Sequence, residues 1–124
     1  MPITIYHNPK CAKSRETLEL LQARGIEPVI IEYLKTPPDK ATLQRLIKLL
    51  AIAPRDLLRV KEPEYKQAGL ANPKLSDSAI LQALVKYPKL MERPIVVAGN
   101  KAALGRPPEN VLKLINLEKA VSRR

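Results

Sequence analysis

The stretch ITIYHNPKCAKSRETLELLQARGIEPVIIEYL, from Ile3 to Leu34, contains the pattern that decides the fold. Its first residues, ITIY, are rich in β-branched side chains and predict a short strand. A helix is predicted from Cys11 to Arg24, with leucines on one side and Gly25 just beyond its end. The run PVIIEYL that follows is β-branched and apolar, which predicts a buried strand. Strand, helix and strand of these lengths predict a right-handed βαβ unit with parallel strands.

The middle of the chain, residues 36–88, predicts helices and no strand. One amphipathic helix is predicted after Asp39 and another after Ser76, with shorter helical pieces between them. Pro88 ends the last of these helices. The predicted apolar faces of the two longer helices consist of Leu43, Leu46, Ile47, Leu50, Ile80, Leu81, Leu84 and Val85.

Strand character returns with PIVVA, from Pro94 to Ala98. Gly99-Asn100 predicts a two-residue hairpin turn, and KAALG is the return strand. A final helix is predicted after Pro107. The order is therefore β-α-β, helical insertion, β-β-α. It predicts one α/β domain over residues 1–124, with a mixed four-stranded sheet and an all-helical insertion between the second and third strands.

The composition narrows the class of protein. The 124 residues correspond to about one domain, and 22 basic against 12 acidic residues give a net charge of +10. The basic residues are scattered, and no zinc-finger spacing or RNP-type aromatic motif accompanies them, so nucleic acid is not an expected partner. Solubility and a small-anion site remain as reasons for the charge.

The N-terminus and the cysteine usage indicate a compartment. MPITIYHNPKC lacks the apolar run of a signal peptide, and no apolar window approaches the roughly 18 residues of a membrane span. One cysteine excludes an internal disulfide and a multi-thiolate metal site, so no metal is expected. We therefore expect a soluble cytoplasmic protein that does not bind membranes.

Cys11 is the chain's one cysteine, and it follows a predicted strand at the start of a predicted helix. Unpaired N–H groups and the helix dipole favour a negative charge there, and Lys10, Lys13 and Arg15 are close in sequence. Such surroundings lower a thiol pKa and produce a reactive thiolate. The alternative is a small buried apolar residue, but the location favours reactivity.

Two polar residues flank this cysteine. Ser14 completes a Cys-x-x-Ser pattern, and its hydroxyl could donate to the thiolate or bond the backbone. His7, the chain's one histidine, could lower the thiol pKa as a cation or donor, or could bond a loop. No second thiol exists to resolve an oxidised Cys11, so redox chemistry there would require an external thiol.

Three arginines lie at the boundaries of predicted elements. Arg59 ends a short helix, Arg93 precedes the third strand, and Arg106 follows the fourth. Each by itself is typical of a solvated surface charge. If the three converge on Cys11, they form an oxyanion receptor at a helix N-terminus.

Taken together, these motifs resemble the glutaredoxin-dependent arsenate reductase family. The resemblance covers about residues 2–118 and rests on ITIYHNPKCAKSRETL, on LLR at Leu57 to Arg59, and on LMERPIVVAGNKAALGRPPE from Leu90 to Glu109. It implies a thioredoxin-like fold, with a core of about residues 1–35 and 89–118 and a helical insertion of about residues 36–88.

The resemblance also implies roles for matching residues. The family nucleophile corresponds to Cys11, and His7 and Ser14 correspond to positions that keep it ionised. The remaining implied positions are the cis-proline Pro94 and the substrate-binding arginines Arg59, Arg93 and Arg106.

The implied reaction reduces arsenate to arsenite through a covalent Cys11–arsenic intermediate. Glutathione is the implied co-substrate, glutaredoxin the implied partner, and no bound cofactor is implied. Ala12-Lys13 stands where established arsenate reductases usually have Gly-Thr. Two alternatives remain: the same thiol chemistry on another oxyanion or a glutathione mixed disulfide, and an RNA-polymerase-binding regulator of the Spx type, which typically carries Cys-x-x-Cys.

Overall fold

The computed structural model describes residues 2–115, which contain four strands, four α-helices and a further α-helical segment at residues 112–115. In chain order these are β1 (Ile3–His7), α1 (Ala12–Ala23), β2 (Val29–Glu32), α2 (Lys40–Leu50), α3 (Pro63–Gln67), α4 (Asp77–Lys86), β3 (Ile95–Ala98) and β4 (Lys101–Leu104). Three short 3₁₀ helices cover Pro54–Leu57, Pro88–Leu90 and Pro108–Val111, and residues 112–115 are α-helical.

The sheet has the strand order β2-β1-β3-β4. β1 and β2 are parallel, whereas β3 is antiparallel to both β1 and β4. All described residues between β2 and β3 are helical or irregular, apart from one isolated bridge. The predicted α/β, thioredoxin-like fold with a mixed four-stranded sheet and a helical insertion is therefore confirmed.

The chain divides into two compact units. The sheet unit contains the described residues up to Tyr33 and from Arg93 onward, and the helical unit spans Leu34–Glu92. None of the helices within residues 2–115 is both long enough and apolar enough to cross a membrane.

In the sheet unit, α1 and the last described residues pack against the sheet through a common apolar core. Its buried members are Ile3, Ile5, Leu21, Val96, Ala98, Val111, Leu114 and Ile115. The predicted end of α1 is confirmed: Gly25 has a φ of 77°, and its N–H donates to the carbonyl of Gln22. Ile26 closes the same turn by donating to Leu21, which satisfies two carbonyls that a helix end leaves unpaired. The predicted β3–β4 hairpin is also confirmed, with Ala98 opposite Lys101.

The prediction that the second strand is buried is wrong. β2 is an edge strand that pairs with β1 alone, and Val29 and Ile30 are 55% and 46% exposed. β-Branched residues suit a pleated strand whether or not it is covered, so their density in the sequence does not reveal an edge position.

The helical unit begins its longer helices as the sequence predicts. The side chain of Asp39 accepts from the N–H of Thr42 at the start of α2, and Ser76 accepts from Ala79 at the start of α4. Most of the predicted apolar face is buried, but Val85 is 39% exposed and Leu50 is half-buried. Val85 and Leu50 lie at the edge of the apolar face of their helices, where helical periodicity predicts burial least accurately.

Candidate active site

Cys11 is the residue that joins β1 to α1. It is the N-cap of the helix, with extended backbone angles, rather than part of the first turn as the sequence predicts. Its N–H donates to the carbonyl of Asn8, and its own carbonyl accepts from Arg15. The residue is partly exposed.

The surroundings of Cys11 favour its ionised form. Partial burial of the sulfur raises the pKa, whereas the backbone N–H of Ser14, the charge of Arg93 and the backbone N–H of Lys13 all lower it. A side-chain hydrogen bond from Arg93 adds to these effects, and the pKa of Cys11 lies below that of an ordinary thiol. The side chain of Cys11 makes no capping hydrogen bond to the first turn of α1. The neighbouring N–H groups therefore stabilise the thiolate rather than the neutral thiol.

Arg93 reaches the cysteine because of strand pairing. β3 runs antiparallel to β1, with Ile95 opposite Tyr6, so the residues before β3 lie beside the loop that leaves β1. The Arg93–Pro94 peptide bond is cis, as is the Arg106–Pro107 bond. The chain thus brings together two residues that are more than 80 positions apart in the sequence.

His7 and Ser14 form a buried pair behind the cysteine. Nδ1 of His7 lies 2.6 Å from Oγ of Ser14, and both side chains are buried. Oγ of Ser14 also accepts from the N–H of Asn8 at 3.0 Å. The described hydrogen bonds of the Ser14 hydroxyl therefore go to His7 and the loop, and it is the backbone N–H of Ser14 that supports the thiolate.

Burial also decides the charge of His7. It lowers the pKa of the imidazole, the carboxylate of Glu32 raises it, and Arg15 lowers it, with a net lowering. Near neutral pH the ring is therefore neutral, which disfavours the cationic role considered from the sequence and leaves a role as a hydrogen-bonding partner.

Sequence reasoning missed Asn8 as an organiser of this loop. Its carbonyl accepts from Cys11, its N–H donates to Ser14, and its Oδ1 accepts from the N–H of Lys10. Arg15 adds a further bond by donating to the carbonyl of Pro9. The Asn-Pro pair was a detectable signal, since Asn side chains commonly bond backbone groups two residues onward.

A second missed feature is the junction of α1 with the end of β4. The N–H of Gly105 donates to the carbonyl of Pro94 at 2.9 Å. The buried hydroxyl of Thr17 donates to Lys13 at 2.8 Å and lies 3.5 Å from the carbonyl of Gly105. This contact orients the helix that carries Cys11 relative to the ends of the strands. No local sequence pattern predicts the contact, because its residues are far apart in the chain.

The two remaining arginines are placed differently. Arg106 belongs to the sheet unit, directly after Gly105, and its side chain is exposed. Arg59 belongs to the helical unit, where it contacts Glu62, Glu92 and the carbonyl of Lys89. Their roles as oxyanion ligands stay predictions. No group of three or more potential metal ligands is found within residues 2–115.

A family model described as the ArsC family matches residues 6–114. The chain belongs to the ArsC family. The match includes the Cys11 loop, the junction at Gly105 and all three candidate arginines.

Relatives in the ArsC family cover nearly the whole chain. The protein YfgD of Escherichia coli K12 is 55% identical over 91% of this chain and 96% of its own length. A protein named arsenate reductase from Neisseria meningitidis serogroup A is 49% identical, with coverages of 88% and 94%. The solved structure of an arsenate reductase from Vibrio cholerae matches with a TM-score of 0.90 and 50% identity, over 92% of this chain and 98% of that one.

The position of Arg93 beside Cys11 leads to a testable prediction about the pKa of the thiol. Replacing Arg93 by Ala removes a charge and a hydrogen bond that favour the thiolate, so the pH profile of Cys11 alkylation should move to higher pH. Arg93→Lys should move it less, because the charge remains. The rate of reaction with iodoacetamide is unambiguous, since the chain has one cysteine.

The matched control for this prediction is Arg24→Ala. Arg24 is the C-cap of α1, about 20 Å along the helix axis from Cys11. The Arg24→Ala substitution removes the same charge at the other end of the helix, so the pH profile of Cys11 alkylation in this variant should match that of the unsubstituted protein. Superimposable profiles for Arg93→Ala and Arg24→Ala would contradict the assignment of Arg93.

A second prediction concerns the pH dependence of stability. Burial lowers the pKa of His7, whereas an unfolded chain takes up this proton near pH 6.5. Below about pH 6.5 the unfolded state therefore binds more protons, and the free energy of unfolding falls as the pH drops further. Above that pH the contribution is fully present.

Urea denaturation between about pH 7.5 and 5 measures this effect. Because the chain has one histidine, His7→Gln removes the titration and should flatten the decline over the upper part of that range. An equally steep decline in His7→Gln would show that another group is responsible.

Proposed function

We propose that this protein reduces arsenate to arsenite with Cys11 as the nucleophile. The observation that carries the proposal is the thiol of Cys11 at a helix N-cap beside Arg93, with its pKa lowered. A thiolate of this kind attacks an electrophilic centre, and an adjacent guanidinium neutralises an oxyanion that approaches it. Relatives named arsenate reductase at 49% identity support the choice of substrate.

In the proposed first step the sulfur of Cys11 attacks arsenic(V). A sulfur–arsenic bond forms, an arsenic–oxygen bond breaks, and the oxygen leaves as water after taking up a proton. Negative charge on the arsenate oxygens faces Arg93 throughout this step. Preorganised positive charge at such a position is the kind of contribution that dominates many enzymatic rate enhancements.

In the proposed second stage external thiols supply the electrons. Glutathione attacks the arsenic of the adduct, a second sulfur–arsenic bond forms, and a second arsenic–oxygen bond breaks, with the oxygen leaving as water after taking up a proton. A glutaredoxin thiolate then attacks the glutathione sulfur and forms a mixed disulfide, while the bond from that sulfur to arsenic breaks and leaves its two electrons on arsenic. Water then attacks the As(III) still bound to Cys11, the sulfur–arsenic bond breaks, and arsenite and the Cys11 thiolate are released. The chain has no second cysteine to perform this resolving step, which supports the use of an external thiol.

Arg106 and Arg59 complete the proposed oxyanion site. Arg106 is the exposed residue that follows the Gly105 junction, so its backbone is held by the same contacts that orient α1. Arg59 has two carboxylates as neighbours in the helical unit. Its part in substrate binding is taken from the family resemblance.

The proposal is tested by arsenate-dependent NADPH oxidation in the presence of glutathione, glutaredoxin and glutathione reductase. We expect turnover that requires all three components and saturates with arsenate. Omission of glutaredoxin should reduce the rate to the background level. Failure to exceed the rate of a Cys11→Ser variant would reject arsenate reduction as the activity.

A further inference from the structure

The segment after β4 contains an asparagine, Asn110, whose side chain bonds the backbone of a candidate substrate-binding residue. Nδ2 of Asn110 donates to the carbonyl of Arg106 at 3.1 Å, and the N–H of Asn110 donates to the carbonyl of Pro107 at 3.0 Å. Asn110 belongs to the 3₁₀ helix Pro108–Val111 and is half-buried. It therefore makes two hydrogen bonds to the segment that carries Arg106, all within the sheet unit.

The sequence of this segment explains why a side chain supplies the hydrogen bond. Pro107 and Pro108 have no N–H groups, so neither can donate to the carbonyl of Arg106. The amide of Asn110, four residues further on, provides a donor in their place. Because the carbonyl of Arg106 is held in this way, its exposed side chain leaves a backbone whose direction Asn110 restrains.

The pairing of β3 with β4 brings Arg106 to the same end of the hairpin as Arg93. The N–H of Gly105 donates to the carbonyl of Pro94 at 2.9 Å, one residue beyond the last pair of the two strands. The next residue outward on each segment is an arginine, Arg93 on one and Arg106 on the other. Since the side chain of Arg93 hydrogen-bonds the thiol of Cys11, Arg106 starts from the same edge of the site.

We propose that Asn110 is a positioning residue that holds Arg106 at the oxyanion site of Cys11. With its carbonyl fixed, Arg106 samples fewer directions, so its guanidinium loses less conformational entropy when it binds an anion. Without the hydrogen bond from Asn110, the same charge is spread over a wider range of positions and acts less on the sulfur. This inference rests on the proposed function, because it requires Arg106 to face the oxyanion that Cys11 attacks.

The test measures the positive charge near the sulfur with two alkylating reagents, iodoacetate, which is an anion, and iodoacetamide, which is neutral. Both react with the Cys11 thiolate, so the ratio of their rate constants is independent of the fraction of thiol that is ionised. At low ionic strength Arg106→Ala should lower the iodoacetate-to-iodoacetamide ratio by about threefold, the effect of one unit charge about 6 Å away in water. Asn110→Leu has a similar size and no donor, and it should lower the ratio by about twofold.

A double variant separates a positioning role from general damage to the fold. If Asn110 acts through Arg106, the double variant of Asn110→Leu with Arg106→Ala should have the same reagent ratio as Arg106→Ala alone. The matched control is Asn100→Leu, which makes the same chemical change in the turn at the opposite end of the β3–β4 hairpin and should leave the ratio unchanged. Asn110→Ala, which adds no bulk, is used if Asn110→Leu fails to fold.

Three outcomes would overturn the inference. These are an unchanged reagent ratio in Arg106→Ala, an unchanged ratio in the folded Asn110 variant, and a double variant in which the two single effects simply add. None of these measurements requires arsenate. A protein that reduces arsenate but shows unchanged ratios keeps its proposed function and loses only the role of Asn110. A protein that shows the expected ratios without arsenate turnover loses its proposed substrate, and Asn110 remains a positioning residue for another anion at Cys11.

Discussion

Replacing Cys11 by Ser should abolish arsenate-dependent turnover, with a loss of at least about a thousandfold in kcat. The hydroxyl of serine does not ionise near neutral pH, so the neighbouring N–H groups and Arg93 have no anion to stabilise. Steady-state kinetics in the glutathione–glutaredoxin assay measure the loss. Mass spectrometry after incubation with arsenate and glutathione should detect an adduct on the unsubstituted protein and none on the variant.

The fold should survive this substitution. Ser is a favoured N-cap residue, and Cys11 makes no strict capping hydrogen bond, so the variant should be as stable as the unsubstituted protein or more so. The thermal midpoint serves as the control. If Cys11→Ser keeps more than about a tenth of the activity, another group performs the nucleophilic attack.

Replacing Gly105 by Ala should destabilise the protein by about 2–3 kcal/mol, because an added Cβ has no space. It would lie 2.5 Å from Oγ1 of Thr17 and 2.8 Å from Cγ of Pro94. Thr17 is fully buried and β-branched, and a proline ring is rigid, so α1 or the strand ends must move. We expect a drop in kcat/KM of about tenfold or more, since the movement alters the position of Cys11 relative to the arginines. Urea denaturation and steady-state kinetics measure the two effects.

Two further variants isolate the steric cause. Gly25→Ala places a Cβ in open space at the end of α1 and costs about 1–2 kcal/mol through its positive φ alone, so its activity should be retained. Thr17→Ala removes the nearest contact, so the double variant with Gly105→Ala should recover part of the lost stability relative to additive behaviour. A Gly105→Ala protein within about 0.5 kcal/mol of the starting stability would contradict the proposed close approach.

Local chemistry made much of the fold predictable. Periodicity and capping residues identified each strand and α-helix within a few residues, although they did not predict the 3₁₀ helix Pro88–Leu90, and Gly25 and the Gly99-Asn100 turn end their elements as predicted. These features depend on contacts between residues that are close together in the chain. The local sequence therefore suffices to predict them. The burial of β2 was predicted wrongly because burial depends on which strand lies beside it.

The candidate site likewise has features that the local sequence determines and features that depend on tertiary contacts. The sequence by itself determined that Cys11 begins a helix after a strand, because caps and periodicity are local. Only the tertiary structure decided which side chains and backbone groups surround the sulfur of Cys11. Antiparallel pairing of β3 with β1 brings Arg93 to the sulfur, and the Ser14 hydroxyl turns toward His7 instead of the thiolate. Contacts between distant segments depend on strand order and register, which no local pattern encodes.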